Sequence, residues 1–494
     1  MATNSLIAGK RPPLVPRNTS LNAISKGQAD PSSFHGANDE DKTPANIIIC
    51  VDGTGNNMHK DDAHKETNVA RISRMFKPMT HKGGRAQSVL YQPGIGTESD
   101  WPDELKTFDN YFDRVIGAGV EKYICTIYAY ISAVWKPGDN LFFFGFSRGA
   151  YVARLIASLV ADVGILDRHT IHHPLGSGKQ TDHRAITKLI YKDWMLSKGG
   201  PVPSQREHAR HMRPAEISFL GVFDTVASIG VPDIADLSLQ SKQYVFAEQI
   251  DSRPAIKRAY HAIALSEHRE NFKCVLFNKS SQSRSAGQTI SQVWFPGYHT
   301  CAGGGTGVPG NTIPNVSLVW MVSKFKDLLE IDEEVLLAQI LTEKVKPCLT
   351  RIEDSKTAMY AANGDHYRVE LGSGVNEALH QIVEQGHFGR YTGIQEMPNI
   401  RGTKAERVNI DLLKAESPSH WEKKMLKVMA GHIHEDSGHG FSSMMGFGGH
   451  GEHGPEASSS ESGLTEIKER GGGGLDHWPT YETREGAVNT KGGG

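Results

Sequence analysis

The sequence lacks an excess of either charge. Its 494 residues include 54 Lys and Arg against 56 Asp and Glu, which gives a formal net charge of -2. A protein that binds nucleic acid normally carries a basic excess, clustered on one face or along one helix. We therefore expect no nucleic-acid partner.

The sequence also lacks long apolar runs. None approaches the ~18 residues that a membrane-spanning helix requires. The opening stretch, "MATNSLIAGKRPPLVPRNTS", lacks the apolar core of a secretory signal peptide. These absences predict a cytoplasmic protein whose contact with a membrane, if it makes one, is peripheral. Export by a route without a cleaved signal stays open, and so does the oligomeric state.

Cysteine is scarce, and the five residues form no CxxC pair. Their number is odd and they are widely scattered, at Cys50, Cys125, Cys274, Cys301 and Cys348. This usage predicts reduced thiols in an intracellular protein rather than a disulfide framework.

Composition divides the chain into three parts. Residues 1–44 are rich in Ser, Asn, Pro and Lys, and we expect them to be disordered. Residues 45–431 are expected to form one catalytic domain, whose pattern becomes helical from about residue 311. Residues 432–494 are rich in Gly, His and Ser, and are expected to be a disordered tail. The tail histidines are expected to be solvated, so no metal site is predicted.

Between the tails, short apolar runs alternate with helical patterns. Amphipathic helices are predicted over residues 108–135 and 148–163. Alternation of this kind is typical of a parallel sheet covered on both faces. The sequence therefore predicts an α/β fold with a mostly parallel sheet flanked by helices. The predicted strands are Ile47–Val51, Ser88–Thr97, Asn140–Phe146, Ile217–Val226, Cys274–Asn278 and Ser291–Gly297.

The third predicted strand runs into Gly145-Phe146-Ser147-Arg148-Gly149, which has the GxSxG pattern. In a nucleophile elbow the serine lies on a tight strand-to-helix turn, and small residues are needed on either side because the two backbones nearly collide. A bare GxSxG is weak in a chain with 52 glycines. Its position, between an apolar strand and an amphipathic helix, strengthens the prediction that Ser147 is a nucleophile.

A serine nucleophile needs a base that a third group orients. Asp224 lies where the fourth predicted strand runs out and His299 follows the last one, so both belong at the carboxyl ends of strands. We predict a Ser147–His299–Asp224 triad. A cap of the following turn stays open for Asp224, as does a loop histidine for His299. The rivals His261 and Glu267 are interpreted as part of an amphipathic segment before the fifth predicted strand.

The first strand ends in Asp52-Gly53-Thr54-Gly55-Asn56-Asn57, for which two interpretations compete. As an oxyanion loop, it would supply backbone N–H groups near Gly53 and Thr54, together with the N–H of Arg148. Asp52 and Asn56 would then contact the substrate, although a structural turn also stays open for Asp52. The alternative is an aspartyl-phosphate enzyme with the motif Asp-x-Asp-Gly-Thr, which is disfavoured because Cys50 replaces the nucleophilic aspartate.

Taken together, these segments resemble the catalytic domain of the class-one type VI secretion phospholipase effectors, an α/β-hydrolase family. The matching stretches include "IIICVDGTGNN", "FFFGFSRGAY", "FLGVFDTVASIGVP", "HAIALSEHRENF" and "VWFPGYHTCAGGG", in order between residues 47 and 322. The resemblance implies a Ser-Asp-His triad at Ser147, Asp224 and His299, and phospholipase activity. One departure is that the family usually has an acid at the position of Cys301.

Two classes of function remain in competition. The leading one is a serine hydrolase of a carboxylic ester, with a lipid or phospholipid as substrate and no metal or organic cofactor. A non-catalytic lipid- or protein-binding module that retains the hydrolase fold is the other, and an esterase for small non-lipid esters is a variant of the first.

Overall fold

The described part of the chain is an α/β domain built on a parallel sheet. In this computed structural model, residues 1–42 and 430–494, which contain nearly all of the two predicted tails, lie outside the described residues, as does Cys348. All described residues belong to one unit, Met1–Gly431. The structure describes residues 43–56, 65–80, 84–95, 109–168, 170, 183–197, 207–227, 246–267, 269, 272–278, 287–307, 313–341, 376–380, 394–396, 407–409 and 415–429.

The main sheet has eight strands in the order β12-β9-β8-β7-β6-β3-β1-β2, and every neighbouring pair is parallel. Two short antiparallel pairs, β4–β5 and β10–β11, lie outside it. The strands are β1 Asn46–Val51, β2 Gln87–Gln92, β3 Asn140–Phe146, β4 Ile165–Leu166, β5 Met212–Arg213, β6 Ile217–Phe223, β7 Arg258–Ala264, β8 Thr289–Phe295, β9 Glu377–His380, β10 Ile394–Glu396, β11 Arg407–Asn409 and β12 Ala415–Glu416.

Helices follow several of the strands, as is usual for the crossovers of a parallel sheet. They are α1 Asn68–Arg74, α2 Asp109–Val134, α3 Ser147–Val163, α4 His183–Leu196, α5 His299–Gly303, α6 Ile313–Phe325, α7 Glu333–Ile340 and α8 His420–Met429, with 3-10 turns at Glu207–His211 and Ile250–Ser252. The predicted helices 108–135 and 148–163 correspond to α2 and α3. None of the described helices is both long and apolar enough to cross a bilayer.

The central strand β3 is apolar after Asn140 because both of its faces are covered. Phe143 belongs to the core cluster that β3 shares with α2, α3 and α4. Phe144 points to the other face, where its ring lies 5.0 Å from that of Phe325 in α6 and 6.0 Å from that of Phe76. Each buried Phe contributes about 1.5–3 kcal/mol relative to an exposed one. The run of phenylalanines thus holds two layers of helices on one sheet.

One strand prediction is wrong. Cys274–Asn278 is a buried segment with a single bridge, from Cys274 to Val226, and the strand beside β6 is instead β7, which the sequence analysis interpreted as an amphipathic segment. The apolar run is buried without being a strand because side chains bind its backbone. Arg154 donates to the carbonyls of Val275 and Leu276, and Gln292 exchanges two hydrogen bonds with Phe277.

The chain after residue 311 is only partly helical. Helices α6, α7 and α8 agree with the prediction, but β9 and β12 extend the main sheet beyond β8, the last strand that the sequence predicts. These strands have four and two residues, too short for a periodic signal. At the start of α8, Ser419 accepts from the N–H of Glu422, while the Glu422 carboxylate contacts His380.

Candidate active site

Ser147 lies at the turn between β3 and α3, in a backbone conformation that serine rarely adopts. Its φ is +56°, in the left-handed region. A Cβ added at Gly145 would lie 2.6 Å from the Cα of Ala150, and one at Gly149 would lie 2.3 Å from the carbonyl oxygen of Asp52. The two glycines of GxSxG are therefore required by the close approach of strand, helix and neighbouring loop, which is the geometry of a nucleophile elbow.

Asp224 and His299 are brought together by the ends of two strands. Asp224 directly follows β6, and His299 begins α5 after β8. Oδ2 of Asp224 lies 2.6 Å from Nδ1 of His299, and Oδ1 accepts the N–H of Ala264 at 3.0 Å. Because an ionised carboxylate only accepts, the proton of the neutral imidazole lies on Nδ1. Nε2 is then left with a lone pair and can accept a proton.

The imidazole of His299 is buried against the residue that precedes the serine. Its ring stacks on Phe146 with centroids 4.6 Å apart and an interplanar angle of 30°. Burial lowers the pKa of His299 below its ordinary value, and the hydrogen bond and charge of Asp224 oppose that shift. A neutral histidine at pH 7 is the protonation state that a general base requires.

The loop after β1 lies against the serine. A Cβ at Gly53 would lie 3.1 Å from the Cβ of Ser147. The Asp52 carboxylate is buried and accepts three hydrogen bonds, from Thr67 Oγ1 at 2.8 Å, Tyr91 OH at 2.5 Å and the N–H of Gly53 at 2.7 Å. Burial, together with Asp52, raises the pKa of Tyr91, which keeps its hydroxyl a donor. Asp52 thus holds the loop in shape.

The hydrogen bonds of this loop refine the predicted set of oxyanion donors. The N–H of Gly53 is taken by the Asp52 carboxylate, so it does not point at a substrate as the sequence analysis expected. Among the described residues, the N–H of Thr54 donates no hydrogen bond, and its Oγ1 is buried without a partner. The N–H of Arg148 lies in the first turn of α3, where no intrahelical acceptor exists.

Asn56 and His261 serve the local structure in the contacts described. Asn56 Nδ2 donates to the carbonyls of Gly53 and Thr54, at 3.1 and 3.2 Å. His261 Nε2 accepts the N–H of Thr225 at 3.1 Å, and its Nδ1 lies 3.2 Å from Gln292 Oε1. Both ring nitrogens of His261 are therefore occupied away from Ser147, which rules it out as the base in this arrangement.

Glu267, a rival acid in the sequence, lies against the backbone of His299. Its carboxylate is fully buried and accepts the backbone N–H of His299 at 3.1 Å. Arg269 binds the same carboxylate with two hydrogen bonds of 2.8 Å. A Glu-x-Arg spacing just beyond an apolar segment was the available signal.

Within the described residues, no group of three or more His, Cys, Asp and Glu could hold a metal ion.

Comparison with known proteins gives the family. Residues 45–324 match the family described as T6SS phospholipase effector Tle1-like, catalytic domain. The chain belongs to this Tle1-like family. The match covers more than half of the chain and includes every residue of the candidate site, from Asp52 to His299.

Other relatives are distant. Uncharacterized protein YEL023C of Saccharomyces cerevisiae is 22% identical over 253 residues, which are 47% of this chain and 32% of the yeast protein. The solved structure of a Tle1 effector bound to the VgrG spike shares 20% identity, with a TM-score of 0.30, over 53% of this chain and 51% of the effector. An uncharacterized protein from Pseudomonas aeruginosa shares 17%, with a TM-score of 0.32, over 61% and 48%. The chain thus spans about a third to a half of the lengths of these proteins.

Proposed function

We propose that this Tle1-like chain is a serine hydrolase that cleaves a carboxylic ester of a lipid or phospholipid. The observation that carries the proposal is the 2.6 Å contact between His299 Nδ1 and Asp224 Oδ2, next to an elbow serine with φ of +56°. A base that is buried, oriented by a carboxylate and stacked beside the nucleophile turn is what an acyl-transfer site requires.

In the acylation step, Ser147 Oγ attacks the ester carbonyl carbon while Nε2 of His299 takes the hydroxyl proton. Asp224 holds Nδ1–H and stabilises the imidazolium that forms. Collapse of the tetrahedral intermediate breaks the ester C–O bond, and the imidazolium gives its proton to the departing alcohol. The product of this step is an acyl-Ser147 ester.

In the second step, water replaces the alcohol. His299 takes a proton from water, whose oxygen attacks the acyl carbon, and the imidazolium returns the proton to Ser147 as the free acid leaves. The negative oxygen of both intermediates is stabilised by the N–H groups of Thr54 and Arg148, with the unpartnered Thr54 hydroxyl as a third donor. No metal or organic cofactor enters this scheme.

Labelling with a fluorophosphonate probe tests the proposed nucleophile. We expect wild-type protein to be labelled and Ser147→Ala to remain unlabelled. Ser158→Ala is the matched control, because Ser158 is a buried serine of the same helix whose Oγ donates to the carbonyl of Phe246 at 2.9 Å. This control should be labelled like the wild type. A folded wild-type protein that takes no label would favour the non-catalytic binding module.

The substrate class is tested separately from the nucleophile. Wild-type protein and Ser147→Ala are incubated with phosphatidylcholine vesicles and with 4-nitrophenyl butyrate, and released acid is measured by mass spectrometry. Fatty acid released from vesicles by the wild type alone supports a phospholipase that contacts the membrane peripherally. Release from the butyrate ester alone, by a protein that takes the probe, would move the assignment to a small-ester esterase.

A further inference from the structure

His299 is held by a second buried carboxylate as well as by Asp224. Glu267 lies three residues beyond the end of β7, and its Oε2 accepts the N–H of His299 at 3.1 Å. The exits of β7 and β8 are tied together, since Leu265 and Ser266 donate to the carbonyls of Phe295 and Gly297. The fold therefore places Glu267 next to His299, the first residue of α5.

Arg269 links this carboxylate to the imidazole ring. Its guanidinium binds Glu267 through Nε and Nη2, both at 2.8 Å, and lies 3.5 Å from the centroid of Phe272. Phe272 in turn meets the ring of His299 edge-on at 4.8 Å, and Phe146 stacks at 4.6 Å. The backbone and the ring of His299 are thus both held from the Glu267–Arg269 side.

Fold stability alone is a weak reason for an ion pair in this place. Burying two charges removes the hydration of each ion, and a well-packed apolar pair of similar volume is often as stable. The pair is in contact with the one histidine that Asp224 orients. Among the described residues, three charged groups face His299, namely Asp224 from the end of β6 and Glu267 and Arg269 from beyond β7.

We propose that Glu267 and Arg269 are positioning residues of the hydrolase: Glu267 fixes the backbone of His299, and Arg269 fixes Glu267 and, through Phe272, the imidazole. The inference rests on the proposed function, in which His299 is the base. The two charges act on the protonation of His299 in opposite directions, since Glu267 raises its pKa and Arg269 lowers it. Neutralising either one alone should leave the other uncompensated.

The test is the pH dependence of kcat/KM for 4-nitrophenyl butyrate between about pH 5 and about pH 9. Glu267→Gln keeps an oxygen that can accept the N–H of His299 but loses the charge, so the acid limb should move down by about half a pH unit. Arg269→Met should move it up by a similar amount. The double variant should return close to the wild-type position, although with a lower kcat.

Two further proteins separate positioning from general damage. Arg269→Lys keeps the charge and loses the two-pronged contact, so its acid limb should stay in place while kcat falls several-fold. Asp162→Asn removes the carboxylate charge from another partly buried ion pair, Asp162–Arg253 at 2.9 Å, whose described contacts do not include His299. This control should leave the acid limb unmoved.

Shifts of the two single variants in the same direction, or no shift in folded protein, would overturn the inference. The imidazole signal of His299 in NMR, assigned by its loss in His299→Gln, reports the same titration without any turnover. If the wild-type protein takes no fluorophosphonate, that result contradicts the proposed function but not the positioning role of Glu267 and Arg269. In that case the NMR titration still decides whether Glu267 and Arg269 set the state of His299, with the same opposite shifts expected.

Discussion

Replacing Asp224 by asparagine changes one atom of the carboxylate and should remove most of the activity. The two oxygens of Asp224 have separate partners, the N–H of Ala264 at 3.0 Å and Nδ1 of His299 at 2.6 Å. A carboxamide has a single acceptor oxygen. If that oxygen remains on Ala264, the NH2 group faces Nδ1 and donates to it. The imidazole proton then lies on Nε2, which can no longer accept the proton of Ser147.

Flipping the amide of the Asp224→Asn side chain does not restore the hydrogen bond to Nδ1 without a cost. Its NH2 group would then face the N–H of Ala264 at the end of β7, so that two hydrogen-bond donors would oppose each other. The wrong tautomer is therefore the expected state. The same exchange in serine proteases lowers kcat by roughly 10⁴-fold, which corresponds to about 5.5 kcal/mol of transition-state stabilisation. We expect a loss of roughly 10³- to 10⁴-fold here, with little change in KM.

The assay is the initial rate on 4-nitrophenyl butyrate, with circular dichroism and thermal unfolding as checks of the fold. Asp139→Asn is the matched control. Asp139 is also a buried acid, and its two oxygens accept the N–H groups of Ala45 and Lys136 at 2.7 and 3.0 Å, but it precedes β3 at the opposite edge of the sheet. It should lose about 1–3 kcal/mol of stability and keep its activity. A folded Asp224→Asn protein with more than about a tenth of the wild-type rate would refute the assigned role.

Three other outcomes are expected. Thr54→Val, which removes only the unpartnered hydroxyl, should lower kcat by about 10- to 100-fold with KM unchanged, while Thr54→Ser stays near the wild type; steady-state kinetics on the butyrate ester decides. Gly149→Ala places a Cβ 2.3 Å from the carbonyl oxygen of Asp52, so urea denaturation should show a loss of at least about 1–3 kcal/mol. The buried His299 has a pKa below its ordinary 6.5, so as the pH falls the unfolded chain is protonated at this histidine before the folded protein is. The urea midpoint of unfolding should therefore fall as the pH drops below 6.5, and His299→Gln should weaken that dependence.

Much of the site could be predicted from the sequence because strand polarity is simple in a parallel sheet. Wholly apolar runs such as Leu141–Phe146 are typical of strands covered on both faces, and residues that follow such strands meet at the carboxyl ends of the strands. Ser147 and His299 each follow a predicted strand, and Asp224 lies near the end of another. To predict that these residues lie together at the carboxyl ends of the strands, only the order of the elements was needed. The alternation of strands and helices in the sequence supplied that order.

The sequence predicts a strand at Cys274–Asn278, whereas the strand in the structure is β7. This difference could not be predicted, because the contacts that decide it join residues distant in the chain. Arg154 donates to Val275 and Leu276, more than a hundred residues away, and so satisfies a buried backbone that would otherwise require a strand partner. His261 interrupts the apolar pattern of β7, and its pairing with the N–H of Thr225 is equally invisible in the sequence. Local periodicity reports burial, but it does not report which groups satisfy a buried backbone.

The placement of backbone strain links the fold to the proposed chemistry. Phe146 and Phe223 are register partners at the ends of β3 and β6, so Ser147 and Asp224 are the next residues on two neighbouring strands. Both have positive φ, +56° and +33°, and Asn376 is the only other non-glycine residue among those described with this property. Such conformations cost of order 1–3 kcal/mol each and persist only where the surroundings enforce them.

Backbone hydrogen bonds to neighbouring segments hold Ser147 and Asp224 in these conformations. The N–H of Val226 donates to the carbonyl of Ser147 at 3.3 Å, and the N–H of Asp224 donates to that of Ala262 at 2.7 Å, so each strained residue is tied to the neighbouring chain. A sheet that needed only to be stable would place glycine at both positions, since glycine adopts positive φ without cost. Serine and aspartate instead occupy them, Asp224 in contact with His299 and Ser147 next to Phe146, on which His299 stacks. The strain is therefore better explained by the reaction than by the fold.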